Sequence, residues 1–296
     1  MDISVMIVTF NSANHIRDCL RTIKAQTQGI TYEVMVTDNA STDGTPEIIK
    51  KEFPWVRLIE NTVNRGFGVA NNQAAEMATG EVLFILNDDT VLKENSLKLF
   101  HDTLMSDKSI GVLGCHLIFP DGRHQDSVRR YPRISDQAII LSKLHNFFPN
   151  LGSIRRYLAQ DIDYAKEQEV DQVMGACMVM RREVFERAHG FDERFFVWFE
   201  EVDLQKRIHE EQGLRIVYSP LTEIIHLKGA TFGKVMTLTN QRRLNRSMRQ
   251  YFYKHHGIMA AAVLTMLQPF SLLLAWLVHV YTQSGRDIKK LKHGQN

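Results

Sequence analysis

The stretch EVLFILNDDTVL, residues 81–92, runs from an apolar segment directly into an amide and two carboxylates. Residues 81–86 have the length and the apolar content of a buried strand. Asn87, Asp88 and Asp89 follow at the point where that strand ends. Adjacent carboxylates repel each other, so this strand end favours a cation beside them. The stretch therefore predicts a strand of a buried sheet and a charged site at its end.

Strand and helix patterns alternate along the first part of the chain. Apolar runs predict strands, and apolar residues at helical spacing predict helices. The predicted strands are residues 4–10, 32–37, 56–59 and 81–86, and the predicted helices are residues 13–26, 45–52 and 68–78. Strands that alternate with helices pair in parallel, with helices on both faces of the sheet. The predicted fold class is α/β, with a mostly parallel sheet.

The second half of the chain is less regular. A helix and a further strand are predicted within residues 95–119. Residues 120–171 are polar, interrupted by prolines and poorly periodic, which is typical of an insertion or of a mobile region that faces a substrate. Regular patterns return in residues 173–220, in the order strand, helix, short strand, helix, strand.

Composition limits the class of protein. The chain of 296 residues is 44% hydrophobic, which suffices for one large domain or for one domain with an appendage. Its 36 Lys and Arg nearly balance 34 Asp and Glu, and this balance argues against a nucleic-acid partner. Cys19, Cys115 and Cys177 lie far apart among apolar neighbours and are expected to be reduced core residues of a cytosolic protein. The initial MDISVMIVTF indicates a strand rather than a signal peptide, because it lacks a basic start.

Polar residues follow each predicted strand of the first half. They occupy residues 9–11, 38–43, 61–68 and 87–89. The carboxyl ends of neighbouring parallel strands meet at one edge of a sheet, which is where such folds bind ligands. The four loops are therefore expected to form one site.

Two of these loops indicate how a nucleotide could be bound. In DNASTDGT, residues 38–45, Asp43 is expected to cap a helix, whereas Asp38 and Asn39 are placed to bind a nucleobase or a ribose. In NRGFGVANN, residues 64–72, the glycines let the backbone approach a ligand and present amides to a phosphate. This loop has the pattern GxGxxN, and no acid follows at the distance typical of NAD-binding folds, which argues against a dinucleotide.

Asp89 is the preferred candidate for a metal ligand. Mg²⁺ or Mn²⁺ typically takes one or two protein carboxylates and completes its coordination with water and substrate phosphate. Asp88 is then expected to bind sugar or ribose hydroxyls, with Asn87 as a neutral neighbour. His226 ends a later strand, where a neutral imidazole could complete the coordination, although a lone histidine is more often structural. The alternative for the acids is a turn in which they are simply solvated.

A second group of acids begins a predicted helix in FFVWFEEVDL, residues 195–204. Asp203 lies four residues before Arg207, and an ion pair at this spacing accounts for it. Glu200 and Glu201 have no charged residue four positions further on. One of them is therefore free to act as a general base.

Taken in order, these motifs resemble glycosyltransferase family 2, and within it the rhamnosyltransferase-like members that build bacterial surface polysaccharides. The resemblance is carried over residues 1–230 by NAS and DG after the second strand, NRGFGVANN, NDD, GFDERFF followed by an acidic pair and DL, and a late histidine. It implies a GT-A fold and an inverting, metal-dependent transfer of a sugar. The implied donor is a nucleotide diphosphate sugar such as dTDP-rhamnose, the acceptor is a glycan or polyprenyl-linked, and the cofactor is Mg²⁺ or Mn²⁺.

The resemblance also implies roles for Glu201, Asp89, His226 and Asp38, of which Asp38 meets the nucleoside. Glu201 is the base, with Glu200 beside it, and Asp89 and His226 are the metal ligands. The residues expected to bind the nucleotide sugar are Thr9, Asn11, Asp38, Asn39, Asn64, Arg65, Gly66, Gly68, Asn71, Asn87 and Asp88. Two positions depart from the family pattern. Its aspartate-rich motif begins here with an asparagine, and its usual Glu-Asp pair is replaced by two glutamates, of which the second is one methylene longer than aspartate.

Composition changes abruptly near the C-terminus. Residues 258–281 contain no Asp, Glu, Lys or Arg, and at about 1.5 Å per residue they could cross a bilayer core of about 30 Å. Gln268 and Pro269 are expected to interrupt this segment, and basic residues flank both of its ends. This pattern favours a kinked re-entrant or in-plane anchor on the cytoplasmic face of the plasma (inner) membrane. The aromatic residues expected near the lipid headgroups are Tyr251, Phe252, Tyr253 and Trp276.

The predicted division is a catalytic domain over residues 1–235 and a helical, membrane-anchoring region over residues 236–296. For the second region, the alternative is a soluble helical interface of a homo-oligomer. For the first, the rival functions are a sugar nucleotidyltransferase and a scaffold that binds a nucleotide sugar without turnover. A nucleotidyltransferase typically has a glycine-rich basic loop after its first strand, and VTFNSANHIRD contains no glycine.

Overall fold

The computed structural model of the chain describes residues 1–227 and 237–293, without the side chains of residues 277–293. Two compact units are present: a sheet unit, Met1–Tyr131 with Arg156–Thr231, and a helical unit, Pro132–Arg155 with Phe232–Asn296. The predicted boundary at residues 235–236 lies outside the described residues. Because a segment from the middle of the chain belongs to the helical unit, the division into a catalytic domain and a tail stays a prediction.

The sequence folds into short strands and helices that mostly begin and end within a few residues of the predicted bounds. The strands are β1 (Ile3–Thr9), β2 (Tyr32–Asp38), β3 (Arg57–Glu60), β4 (Val82–Asn87), β5 (Thr90–Leu92), β6 (Ile110–Ile118), β7 (His124–Gln125), β8 (Val128–Arg129), β9 (Gln168–Glu169), β10 (Gln172–Val173), β11 (Cys177–Arg181) and β12 (Arg215–His226). The helices are α1 (Ile16–Gln26), α2 (Thr45–Glu52), α3 (Phe67–Met77), α4 (Ser96–Ser106), α5 (Ile134–Leu141), α6 (Gly152–Tyr157), α7 (Arg182–Arg187), α8 (Glu200–Gln212) and α9 (Leu238–His293).

A 10-stranded sheet forms the centre of the sheet unit. Its main order is β3-β2-β1-β4-β11-β6-β12-β5, with β7 beside β6 and β9 beside β12. Strands β1 to β4 pair in parallel, as predicted. Neighbouring residues of β4 alternate between two hydrophobic clusters, Phe84 in one and Ile85 in the other. Helices α1, α2 and α4 contribute to the first cluster and α3, α7 and α8 to the second, so both faces of the sheet are covered.

Three expectations about the later part of the sheet unit are corrected. Strand β11 is antiparallel to both of its neighbours, β4 and β6, so the sheet is mixed beyond β4. The short strand predicted ahead of α8 is absent from the described residues 188–199, which form turns and bends. Residues 120–171 are not one irregular insertion. They supply several short strands and helices, and the hairpin of β7 with β6 is part of the main sheet.

The helical unit is dominated by α9, which consists of two arms. Gly257 has φ 80° and ψ 176°, which breaks the helix between them. The Nε2 of Gln268 donates to the carbonyl oxygen of Asn245 at 2.9 Å. In a continuous helix these two residues would be separated by about 34 Å, so the arms fold back on each other. The predicted interruption at Gln268 and Pro269 is therefore wrong, because Pro269 lies inside the second arm.

The arms of α9 correct part of the aromatic prediction. Tyr251 and Phe252 are fully buried, so they do not face lipid headgroups. Tyr253 and Trp276 are exposed. The basic residues expected beyond the apolar segment belong to residues 286–292, whose side chains lie outside the described part of the chain.

Candidate active site

The polar ends of β1, β2 and β4 meet at one edge of the sheet, as predicted. Thr9 pairs with Asp38 in the parallel ladder, and Val8 pairs with Asn87. The Thr9 hydroxyl donates to Asp38 Oδ1 at 2.9 Å. Just beyond β1, the Ser12 hydroxyl donates to Asp88. Side-chain hydrogen bonds therefore join the three loops that the sequence placed together.

Asp38 is held by several donors. Besides Thr9, the Ser41 hydroxyl donates to Oδ1 at 2.5 Å and the Ser41 amide donates to Oδ2 at 2.9 Å. Asn11, which has φ 56°, donates its own amide to the Ser41 hydroxyl at 2.8 Å and accepts from the Thr42 amide at 2.9 Å. The left-handed backbone at Asn11 is one that asparagine tolerates better than most residues. These bonds fix the Asp38 carboxylate before any ligand arrives.

The glycine-containing loop packs against Asn39. The Asn39 Nδ2 donates to the Gly66 carbonyl at 3.1 Å, and its Oδ1 accepts from the Arg65 amide at 3.3 Å. Asn64 Oδ1 accepts from the Gly66 amide at 3.0 Å. Gly66 has φ 89°, and a Cβ there would lie 2.3 Å from the Phe196 carbonyl oxygen. Only glycine fits this position, because the loop is pressed against the segment that precedes α8.

The start of α3 differs from the phosphate-binding expectation. The Phe67 amide donates to the Phe196 carbonyl at 3.0 Å, and the Gly66 amide is occupied by Asn64, so neither is free for a phosphate. A Cβ at Gly68 would lie 3.9 Å from that of Glu200, which places this turn beside α8. Asn71 is buried and donates to the Phe67 carbonyl at 3.0 Å.

Another part of the site is the contact between Asp89 and His226. His226 pairs with Thr90 across β12 and β5, and Asp89 Oδ1 lies 3.2 Å from His226 Nε2. Both side chains are buried. Two ligands in adjacent octahedral positions of Mg²⁺ are about 3 Å apart, so this pair fits a divalent cation. Within the described residues no group of three or more His, Cys, Asp or Glu could hold a metal ion, so a cation here would need further oxygen donors.

Asp88 is buried and accepts the hydrogen bond of the Ser12 hydroxyl. It is 4% exposed, and burial raises its pKa to about 7. The hydrogen bond from Ser12 opposes that rise by favouring the charged form. Asp88 is thus held near a protonation change at neutral pH.

The acids that begin α8 lie in a different environment. Trp198 and Phe199 both have positive φ, 64° and 69°, which is a strained backbone for large residues. The helix then begins with Glu200 and Glu201, whose Oε2 atoms are buried and have no hydrogen-bond partner within the described residues. Burial raises the pKa of both carboxyls, and that of Glu200 is raised further by the charge of Glu201.

The rest of this helix follows the sequence prediction. Asp203 pairs with Arg207 at 2.9 Å, and the Arg207 guanidinium also donates to the carbonyls of Ala188 and Gly190. This pair anchors α8, because it is buried and fully engaged. It leaves the first two glutamates as the candidates for chemistry.

The turn just before β11, at Gly175 and Ala176, lies between the two groups of acids. The Asn87 amide donates to the Ala176 carbonyl at 3.1 Å. One residue earlier, a Cβ at Gly175 would lie 3.7 Å from the Cβ of Glu201. Glu201 is therefore separated from the end of β4 by the backbone of this turn. The sequence did not anticipate this connection.

Sequence reasoning missed four residues that hold the predicted ones. They are Ser12, Ser41, Gln125 and Gly175. Ser41 lies three residues after Asp38 in DNAS, a spacing at which a hydroxyl bonds an aspartate, so a local signal existed. Gln125 had none, because it contacts His226 only through the β6–β7 hairpin.

Comparisons with known proteins show the family of the chain. The sequence model of Glycosyl transferase family 2 matches residues 4–188. The chain is 30% identical over 241 residues to the N-acetylglucosaminyl-diphospho-decaprenol L-rhamnosyltransferase of Mycobacterium tuberculosis, covering 78% of this chain and 77% of that protein. It is 26% identical to the rhamnosyltransferase WbbL of Escherichia coli, covering 75% of this chain and 82% of that protein.

Solved structures support the fold. The mannosyltransferase PcManGT from Pyrobaculum calidifontis, in complex with GDP-Man and Mn²⁺, matches with a TM-score of 0.57 and 21% identity, covering 99% of this chain and 79% of that one. GalNAc-T7 with UDP, GalNAc and Mn²⁺ matches with a TM-score of 0.57 and 16% identity, covering 85% of this chain and 50% of that one. The fold is GT-A. The chain belongs to glycosyl transferase family 2 and is a glycosyltransferase similar to rhamnosyltransferases.

Proposed function

We propose that this glycosyltransferase moves rhamnose from dTDP-rhamnose to a polyprenyl-linked glycan acceptor in cell-surface polysaccharide synthesis, with inversion at the anomeric carbon. The observation that carries the proposal is the arrangement of acids. A carboxylate–imidazole pair, Asp89 with His226, lies at the end of β4, and Glu201, whose Oε2 has no hydrogen-bond partner within the described residues, lies across the turn before β11. The names of the relatives from M. tuberculosis and E. coli support rhamnose as the sugar, and the former supports a polyprenyl diphosphate acceptor.

The donor would lie along the loops after β1, β2 and β4. Asp38, with Thr9, Asn11 and Asn39 around it, would bind the nucleoside. Asn64, Arg65, Gly66, Gly68 and Asn71 would face the diphosphate side, where Arg65 is exposed and supplies a positive charge. Asp88 and Asn87 would bind sugar or ribose hydroxyls. The amides of Gly66 and Phe67 are engaged within the protein, so the diphosphate would depend more on Arg65 and a cation than the sequence suggested.

Asp89 and His226 would hold Mg²⁺ or Mn²⁺, which when bound stabilises the negative charge of the departing diphosphate. Glu201 would take the proton of the acceptor hydroxyl on the opposite face of the sugar. It is partly exposed, whereas Glu200 is 4% exposed, so Glu201 is the glutamate that an acceptor can reach. Burial raises the pKa of Glu201, which makes it a stronger base than an ordinary glutamate.

The transfer is tested with the purified chain, dTDP-rhamnose and a polyprenyl-diphospho-N-acetylglucosamine acceptor, with Mn²⁺, with Mg²⁺ or with a chelator. We expect transfer with either metal, no transfer with the chelator, and a product of inverted anomeric configuration by NMR. A panel of other nucleotide sugars serves as the donor control. Transfer that continues in the chelator would reject the metal-dependent mechanism, and transfer of another sugar in preference would reject rhamnose.

The helical unit would bring the site to a lipid-linked acceptor at the cytoplasmic face of the membrane. Among described residues, α9 contains one segment, Leu238–Trp276, long and apolar enough to cross a membrane by length and composition, which alone is weak support. Its second arm exposes an apolar stripe at alternating steps of four and three residues. The stripe comprises Met259, Val263, Met266, Phe270 and Leu273.

A loop of the same unit is also apolar and exposed. Phe147 is 77% exposed and Phe148 is 58% exposed, with Leu144 and Leu151 on either side. Residues 132–155 and 237–276 contain eight Lys or Arg and a single acid, Asp136. A cationic unit with exposed aromatic and aliphatic side chains fits an anionic lipid surface. The second arm has no charged residue over 258–276, so it lacks the ion pairs that specify a coiled-coil partner.

Binding to vesicles distinguishes a lipid surface from a second copy of the chain as the partner of these exposed apolar side chains. We expect the chain to sediment with phosphatidylglycerol vesicles and less with phosphatidylcholine vesicles. The variants Phe147→Ser with Phe148→Ser, and Met266→Ser with Phe270→Ser, should each lower binding. The matched control is Val63→Ser, which changes an exposed apolar residue of the sheet unit. If these double variants instead convert a dimer to a monomer and leave vesicle binding unchanged, the exposed surface is an interface between two copies.

A further inference from the structure

Gln125 forms two hydrogen bonds with His226. It lies in the two-residue strand β7, is 1% exposed, and pairs with Leu117 of β6. Its Nε2 lies 3.2 Å from the backbone carbonyl oxygen of His226, and its Oε1 lies 2.6 Å from His226 Nδ1. One buried carboxamide therefore contacts both the main chain and the imidazole of the same residue.

The orientation of this carboxamide fixes a proton. A backbone carbonyl oxygen can only accept a hydrogen bond, so the NH₂ end of Gln125 must face it. The oxygen end then faces His226 Nδ1, and because that oxygen also only accepts, Nδ1 must carry the hydrogen. A neutral imidazole carries one hydrogen. Its other nitrogen, Nε2, is left with a lone pair.

That lone pair faces the residues at the end of β4. His226 Nε2 lies 3.2 Å from Asp89 Oδ1 and 3.3 Å from Asn87 Nδ2. Asn87 can donate to the lone pair, whereas the Asp89 carboxylate is a second acceptor beside it. Two acceptors at this distance repel each other unless a cation or a proton lies between them.

We propose that Gln125 is a positioning residue that holds His226 in the tautomer with hydrogen on Nδ1 and so presents Nε2, beside Asp89, as a ligand for a divalent cation. The part concerning the cation rests on the proposed function. Partners of this kind fix the orientation and tautomer of a metal-binding histidine, and their loss typically lowers metal affinity by about 10- to 100-fold.

The tautomer is measured without any metal. In ¹⁵N-labelled protein at mildly alkaline pH, long-range correlations distinguish the two neutral forms of an imidazole, and comparison with His226→Gln assigns the signal. We expect the Nδ1–H form in the unmodified chain and a mixture in Gln125→Leu. Finding the Nε2–H form or a doubly protonated ring in the unmodified chain would overturn the proposal, and so would an unchanged signal in Gln125→Leu.

Two further variants separate positioning from simple structural support. Gln125→Glu keeps an acceptor for Nδ1–H but loses the donor to the His226 carbonyl, so we expect it to retain the tautomer. A purely structural role of Gln125 predicts instead that Gln125→Glu loses the Nδ1–H tautomer as Gln125→Leu does. Gln172→Leu is the control, because Gln172 is 5% exposed on β10 and its amide donates to the Arg130 carbonyl instead. If Gln125→Leu does not fold, the tautomer in Gln125→Glu decides the matter.

Binding of Mn²⁺ alone, followed by the loss of its free electron paramagnetic resonance signal, adds the second readout. We expect affinity to fall by about 10- to 100-fold in Gln125→Leu and to be retained in Gln125→Glu and Gln172→Leu. Equal affinity in all four proteins would reject the positioning role while leaving the metal site intact. An Nδ1–H tautomer in a chain that binds no Mn²⁺ would instead reject the metal part of the proposed function and uphold the role of Gln125.

Discussion

Two groups of carboxylates border the site, and they differ in their partners. Asp38 accepts hydrogen bonds from Thr9 and Ser41, Asp88 accepts one from Ser12, and Asp89 lies against an imidazole. At the start of α8, the Oε2 atoms of the two glutamates have no partner within the described residues. The first group is built into the ends of strands, and the second into the first turn of a helix.

The difference in partners indicates a difference in task. A carboxylate that already accepts several hydrogen bonds is fixed in position, which suits ligand binding. A buried carboxylate with one oxygen left unpartnered is destabilised when charged, so it gains more by accepting a proton. Asp38 at the end of β2 is thus held in position for a ligand, whereas the glutamates at the helix start are placed to accept a proton.

The largest effect is expected from Glu201→Gln. Glutamine keeps the shape but cannot accept a proton, so kcat should fall by about 100- to 10,000-fold. Donor affinity, measured by calorimetry, should change little, because the strand-end acids remain. Glu211→Gln, an exposed change near the end of the same helix, is the control. Unchanged turnover in Glu201→Gln would remove the distinction between the two groups of acids.

A smaller effect, on the free energy of unfolding, is expected when a hydrogen-bond donor to a strand-end acid is removed. Ser12→Ala removes the side-chain hydroxyl from buried Asp88 and should lower the free energy of unfolding by about 1–3 kcal/mol. Burial raises the folded-state pKa of Asp88 to about 7, above the ordinary aspartate value of 3.8, so ionisation destabilises the fold as pH rises between these values. The loss in Ser12→Ala should therefore be small at pH 4 and complete at pH 8, as measured by urea denaturation.

Ser41→Ala is the matched comparison for this prediction. Asp38 retains the Thr9 hydroxyl and the Ser41 amide after the substitution, so the cost should be about 1 kcal/mol or less. A greater loss in Ser41→Ala than in Ser12→Ala would show that the number of remaining donors does not decide the outcome.

The strand-end group was predictable from sequence, and the helix group only in part. Strands β1 to β4 are apolar runs, and the rule that parallel strands end at one edge sufficed to bring Asp38 and Asp88 together. The pair of Asp203 with Arg207 followed from helical spacing. The proximity of Glu201 to Asn87 did not, because it depends on the turn before β11, a short strand whose periodicity carries no direction.

The helical unit shows a second limit of sequence reasoning. Pro269 was expected to break α9, but Gly257 does so. A proline inside a helix removes one hydrogen bond, at a cost of about 3 kcal/mol that tertiary packing can offset. A glycine can adopt a positive φ at no steric cost, so it permits a complete reversal. Whether the proline or the glycine ends the helix depends on which surfaces the two arms bury. Those tertiary contacts cannot be read from the residues around either position.

Glu200→Gln should stabilise the protein at neutral pH. Burial and the neighbouring Glu201 raise the folded-state pKa of Glu200 well above 4.5, so ionisation destabilises the fold as pH rises above 4.5. Glutamine carries no charge and avoids this loss. Because each unit of pKa elevation corresponds to about 1.4 kcal/mol, the gain in unfolding free energy at pH 8 over that at pH 4 measures the elevation. A gain that is the same at both pH values would contradict the raised pKa of Glu200.

The smallest effect is expected from Glu200→Gln on the pH dependence of turnover. The proposed base must be ionised, so kcat/KM in the unmodified enzyme should rise with pH through the elevated pKa of Glu201, above 4.5. That elevation comes from burial rather than from the charge of Glu200. The rising limb should therefore keep its position in Glu200→Gln, with kcat nearly unchanged. A limb that moves to lower pH would mean that the two glutamates share one proton and act as a single base.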